Sequence, residues 1–139
     1  MKDKAQAAGF EELPHTADWA MRVWAEDLPS LFVQAARGLN ALSGARLAHG
    51  PLIHRAFTDE AADVEDLLVA FLSELVFLQE QENLGFTEFD VRLEKVQLSV
   101  QMQGALLQEL EKPIKAVTYH NLRIMKTENG YEVQVVFDV

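Results

Sequence analysis

The segment from about Ala62 to Glu82 places the strongest limit on the fold. Val64, Leu67, Leu68, Phe71, Leu72, Leu75, Val76 and Leu78 recur at helical spacing, and their apolar stripe spans more than half of the helix surface. A helix with so wide an apolar face needs cover on several sides, so the rest of the chain has to wrap it. A second helix is predicted from about Leu28 to Ser43. There Leu28, Leu31, Phe32, Ala35, Leu39 and Leu42 share a face, Asp27 stands where an N-cap is needed, and Gly44 supplies a stop.

The remaining apolar patterning has period two, the signature of strands. In "DWAMRVWA", Trp19, Met21 and Val23 alternate with Ala20, Arg22 and Trp24, which predicts a strand with apolar cover on both faces. "LIHRAFT", "FTEFDVRL", "EKVQLSVQMQG", "AVTYHNLRI" and "YEVQVVFDV" follow the same alternation. "ENG", Glu128 to Gly130, is expected to join the last two as a hairpin, with Asn-Gly giving the positive φ values of a tight primed turn. The fold class predicted is α+β: one domain, with a largely antiparallel sheet or sheets packed with two main α-helices. No internal repeat, low-complexity tract or linker divides the chain. The domain is expected over residues 9–139, with residues 1–8 disordered.

Composition narrows the chemistry. The 139 residues include no cysteine, which excludes disulfides, thiolate metal sites and cysteine nucleophiles, so a metal would need oxygen or imidazole ligands. The formal net charge of −10 repels a phosphate backbone, and direct nucleic-acid binding is not expected. No run reaches the ~20 apolar residues that cross a bilayer, and the amino-terminal "MKDKAQAAGF" has no apolar leader core, so a cytoplasmic location without membrane attachment is expected. P-loop, GxGxxG, HExxH and EF-hand patterns are all missing.

Three places carry candidate chemistry. In "PHTADWAM", His15, Thr16 and Asp18 crowd together; one reading is a turn whose short polar side chains satisfy backbone donors, the other a site completed by partners from elsewhere. At the other end, "YEVQVVFDV" sets Tyr131, Val133, Val135, Phe137 and Val139 on one face, and Glu132, Gln134, Val136 and Asp138 on the other. A terminus ending inside an apolar strand is expected to be ordered and to bring the Asp138 carboxylate and the Val139 α-carboxylate within a few ångströms of each other, and two such charges repel unless a cation or several donors intervene. A hard divalent ion with oxygen ligands and open water positions answers that need, and a frayed, solvated end is the alternative. In "KPIKAVTYH", Lys112 and Lys115 flank Pro113, and a strand from Lys115 groups Thr118 with His120; no nucleophile-elbow glycines accompany a hydrolytic triad there. Arg46, His49, His54 and Arg55 form a weak basic patch or simply scattered surface charge.

"HTAD" near the start, "IKAVTYHNLRI" from Ile114 to Ile124, the closing "FDV", "LFVQAARGLNAL" on the first helix and "LLVAFLSELVFL" on the second together resemble the archease family, in order and spacing over the whole domain. The resemblance implies an accessory protein without catalysis of its own that promotes guanylylation and turnover of an RtcB-type RNA ligase in tRNA splicing and RNA repair. An alternative role implied is chaperone or specificity modulator of a tRNA methyltransferase. The family's metal site maps onto Asp18, Asp138 and Val139, with Ca2+ as the associated ion and Mg2+ or Mn2+ as substitutes. His15, Lys115 and His120 are expected to support that site or face the partner. The chain departs from the family pattern at Trp19, Ala20 and Met21, where a smaller aliphatic and a glycine are usual, and at Val139, where isoleucine is commoner. The rival reading from another class is a metal-dependent phosphohydrolase using Asp18 and His15.

Overall fold

The computed structural model describes residues 7–14 and 19–139. Residues 1–6 and 15–18, which include His15 and Asp18, lie outside the described residues.

The first helix, α1, spans Leu28–Ser43. Asp27 caps it by accepting a hydrogen bond from the Ser30 N–H at 2.8 Å, and Pro29 sits in the first turn, where its missing N–H costs nothing. Gly44 ends it at φ 65°, a left-handed conformation that suits a residue without Cβ, and its N–H returns to Ala41 and Asn40. The second helix, α2, spans Val64–Glu82. It starts two residues later than the apolar stripe suggests because Asp63 is the cap, its carboxylate accepting from the Asp66 N–H at 2.8 Å. Glu65 and Asp66 in the first turn complement the positive end of the helix dipole.

Among the described residues, nine strands surround the helices: β1 Gly9–Leu13, β2 Trp19–Ala25, β3 Ala45–Leu47, β4 Ile53–Glu60, β5 Leu84–Glu94, β6 Gln97–Leu110, β7 Ala116–Val117, β8 Met125–Thr127 and β9 Gly130–Asp138. They form two sheets, and every pairing is antiparallel. In the first, β1, β2 and β9 lie side by side, and β7 and β8 pair with the two ends of β9. In the second, the long β6 takes β5 against Gln97–Leu106, β4 against Gln97–Gly104 and β3 against Leu107–Leu110.

Both helices touch strands of both sheets: α1 packs on β1, β2 and β9 of one and β3 and β5 of the other, and α2 packs on β7 and on β4, β5 and β6. That arrangement is the cover the wide stripe of α2 demands. Phe71 sits at its centre, fully buried, stacked at 6.0 Å on Phe32 of α1, edge-on at 5.9 Å to Phe89 of β5, and 6.4 Å from Phe57 of β4. Buried polar groups are few. Gln79 reaches Ser43 and Asn40 across the helix pair, and the Asn40 amide donates to the Phe86 carbonyl at 2.7 Å, so α1, α2 and β5 are tied at one point. No helix among the described residues is long and apolar enough to cross a membrane.

The structure departs from the period-two reading in three places. β1 and β3 were not expected as strands; β1 is polar at Glu11 and Glu12 and is held as an edge by Arg22, which bonds Glu11 at 2.8 Å and Glu132 at 2.6 Å across three strands. "AVTYHNLRI" is not one strand: pairing stops after Val117, the chain turns at His120–Asn121 with Asn121 at φ 53°, and it resumes as β8 at Met125. The last hairpin does form, but Thr127 pairs with Gly130, so Glu128 and Asn129 make the turn and Gly130 belongs to the ladder. Gly130 alone of "ENG" has positive φ, 149°, and a Cβ there would collide with the Ala25 carbonyl and Glu26, so the glycine answers to β2 rather than to the turn.

Candidate metal-binding corner

A hard cation needs oxygen donors held at one point by backbone that does not move. β9 provides such a support at its far end. Val133, Val135 and Phe137 are buried on the core face, and Val136 is buried on the other, so the strand is locked on both sides up to Phe137. Trp19 pairs with Phe137 from one side and Val117 from the other, and Ala116 pairs with Asp138. The Lys115 N–H donates to the Asp138 carbonyl at 2.8 Å. Just upstream, the Thr118 N–H and hydroxyl both donate to the Val136 carbonyl at 3.0 Å. Three segments far apart in sequence therefore meet within a few residues of Asp138: the strand entered through "HTAD", the "IKAVTYH" stretch and the closing "FDV".

Asp138 and Val139 project from this rigid strand end into solvent, Val139 with 39% of its surface exposed. The Asp138 carboxylate enters no ion pair with a described residue. Among the described residues, no group of three or more His, Asp or Glu side chains converges as a metal site. What this part of the chain offers is the exposed Asp138 carboxylate on a braced strand end, an oxygen donor of the kind that hard divalent ions take. His15 and Asp18 lie outside the described residues, so the corner is seen from one side.

Of the supporting residues expected, Lys115 acts here through its backbone, and its ammonium is exposed. His120 is exposed in the turn; its N–H donates to the Thr118 hydroxyl at 3.2 Å, and its Nε2 faces the Asn121 amide at 3.3 Å. The basic patch expected around Arg46 and Arg55 is spent on carboxylates: Arg46 pairs with Glu109, and Arg55 with Glu82 at 3.0 Å.

Three features of the corner were not read from the sequence. Lys112 Nζ stands 4.7 Å from the centroid of the Trp19 ring, a cation–π contact that fixes the chain leading into Lys115. Thr118 holds the turn that carries His120. Tyr119, 59% exposed, stands near Asp66 at the start of α2; partial desolvation of the phenol, then the Asp66 and Asp63 charges, push its pKa up. Alternation over "AVTYH" carries no trace of these contacts because each joins the segment to a distant element.

The model of the archease protein family matches residues 10–139. The chain belongs to the archease family. Its relatives include the archease of Methanosarcina barkeri, 34% identical with 97% of this chain and 99% of that protein covered, and the archease of Methanopyrus kandleri, 31% identical with 94% and 99% covered. Among solved structures, Methanobacterium thermoautotrophicum protein 1598 superposes with a TM-score of 0.69 at 22% identity, covering 94% of this chain and 99% of that one. The Thermotoga maritima archease, described as a possible chaperone, follows with a TM-score of 0.68 at 22% identity and coverage of 93% and 96%. The α+β architecture of two helices between antiparallel sheets is thus the archease fold.

Proposed function

We propose that this chain is an accessory protein, without catalysis of its own, that activates an RtcB-type RNA ligase by promoting its guanylylation and turnover in tRNA splicing and RNA repair. In this reading a divalent cation, Ca2+ or in its place Mg2+ or Mn2+, is held by Asp18, Asp138 and a backbone or carboxylate oxygen of Val139.

The observation that carries the reading is the meeting of three family segments at the end of β9. Trp19 is paired with Phe137, and Asp18 directly precedes Trp19 in the sequence. In this reading the Asp18 and Asp138 carboxylates share one ion. When bound, the cation supplies charge neutralisation and open coordination positions. The chain's own residues do the positioning: Phe137 anchors the strand end in the core, the Lys115 N–H fixes the Asp138 peptide, and Thr118 braces the adjoining turn. An incomplete shell of carboxylates binds such ions modestly and leaves room for ligands from a partner.

The direct trial is ligase guanylylation measured with and without this protein and with Asp18→Ala and Asp138→Ala. Stimulation by the native chain and its loss in both variants is expected; full stimulation by both variants would remove the corner from the mechanism. A chaperone or modulator of a tRNA methyltransferase is the second reading, in line with the description of the T. maritima relative. Stable co-purification with a methyltransferase and not with the ligase would favour it. Phosphoester turnover by this chain alone, abolished in Asp18→Asn, would instead favour the phosphohydrolase.

A further inference from the structure

Residues 112–127 contain Lys112, Lys115, His120, Arg123 and Lys126 and no carboxylate, in a chain whose net charge is −10. This stretch runs along the side of β9 opposite β2, through β7, the His120–Asn121 turn and β8, and forms the outer edge of the first sheet. Its four cations and His120 are exposed, and two large apolar side chains stand among them, Tyr119 at 59% and Met125 at 50% exposure.

Four cations elsewhere on the surface are spent within the chain, while Arg37 and Lys95 stand singly and form no ion pair with a described residue. Arg22, Arg46, Arg55 and Arg92 each bind a carboxylate of the chain itself. Lys115, Arg123 and Lys126 form no ion pair with a described residue, and Lys112 is spent on the Trp19 ring. Arg123 beside exposed Tyr119 and Met125 matches the composition of protein interfaces, where aromatic residues, Met and Arg are enriched, and Lys115 and Lys126 add unpaired charge at the rim. A polyanion fits less well. Tyr119, a ring on which a base could stack, stands beside the Asp66 and Asp63 carboxylates, and Glu65 accepts from the Ile124 N–H at 3.1 Å, so a phosphate chain following the edge would meet three carboxylates. A folded protein can set its carboxylates over Lys115, Arg123 and Lys126 alone.

We infer that the edge formed by residues 115–126 is the docking surface for a protein partner whose contact face has apolar pockets rimmed by carboxylates. The Lys115 N–H bond to Asp138 makes this surface continuous with the carboxylate corner, so a partner seated on Tyr119, Arg123 and Met125 meets the cation site at the end of its footprint. The inference rests on the accessory-factor reading for the identity of the partner.

The test uses the full chain and an RtcB-type ligase from the same source organism, with affinity measured at low and high salt. The double reversal Arg123→Glu with Lys126→Glu is expected to weaken binding about thirtyfold at low salt and to flatten the salt dependence. Tyr119→Ala is expected to weaken it about tenfold, and Arg92→Glu, on the other sheet, to leave it unchanged. Thermal melts confirm that each variant is folded, and Ca2+ affinity of the free double variant should match the native value. If the native chain binds and activates the ligase and the edge variants do so equally well, the surface assignment fails while the functional reading stands. If the native chain binds no ligase, both fail. Binding of an RNA oligonucleotide that is lost in the double variant, without loss of ligase binding, would overturn the protein partner in favour of RNA.

Discussion

Thr118→Val removes one oxygen from the bracket beside the candidate corner and keeps the shape and β-branching of the side chain. In the native chain that hydroxyl donates to the Val136 carbonyl at 3.0 Å and accepts from the His120 N–H at 3.2 Å. Each such bond contributes roughly 0.5–1.5 kcal/mol net, so the ceiling is about 3 kcal/mol. Two facts pull the value down. The Val136 carbonyl keeps the Thr118 N–H as a partner, and the His120 N–H, being in an exposed turn, can bond water instead. A loss of about 1 kcal/mol is expected, a fall in Tm of about 3–4 °C for a domain of this size. The loss should be local: amide exchange at His120 speeds up about fivefold, while amides in α2 are unaffected. Thr118→Ser retains both bonds and should restore the protection at His120. A valine variant with native Tm and native His120 protection would refute the bracing role and leave the turn held by its backbone alone.

Truncating the ring that joins α1, α2, β4 and β5, Phe71→Ala, should cost about 3–5 kcal/mol, read as a shift of the urea midpoint at unchanged slope; a cost below ~1.5 kcal/mol would mean that the core closes over the gap. Tyr119 in a Tyr131→Phe background should ionise above the ordinary phenol value of about 10, and Asp66→Asn should bring it down; titration at or below 10 would contradict the influence of Asp66 and Asp63 on the phenol. The sign follows from the neutral form being favoured when folded: this contribution to stability is complete below pH ~10 and is lost as pH rises through the folded-state value. A carboxy-terminal tag after Val139, or removal of that residue, should weaken Ca2+ binding at least tenfold by calorimetry; equal affinity would exclude Val139 as a ligand.

The helices were legible because their signals are local. Asp27, Asp63 and Gly44 act on their own helix ends, and the two apolar stripes are set by 3.6-residue periodicity, so α1 matches the expected span and α2 differs only by its cap. Strand patterning was legible where one face is buried along its length, as in β2 and β9, and failed where the backbone answers to a distant element. β7 ends at Val117 because the Thr118 hydroxyl captures a carbonyl eighteen residues away, and Gly130 is required by Ala25 rather than by its own turn. The site divides in the same way. Its proposed donors, Asp138 and Val139, stand at the end of an apolar strand; what places them is register, because Trp19 meets Phe137 and Ala116 meets Asp138 only if β2, β9 and β7 pair without a slip. A slip of one residue on β9 would turn Phe137 out of the core and Asp138 into it, a cost that no surface carboxylate could offset. The burial of Phe137 therefore fixes the position of the charge beside it, and the apolar pattern of the last strand is also what aims the candidate site.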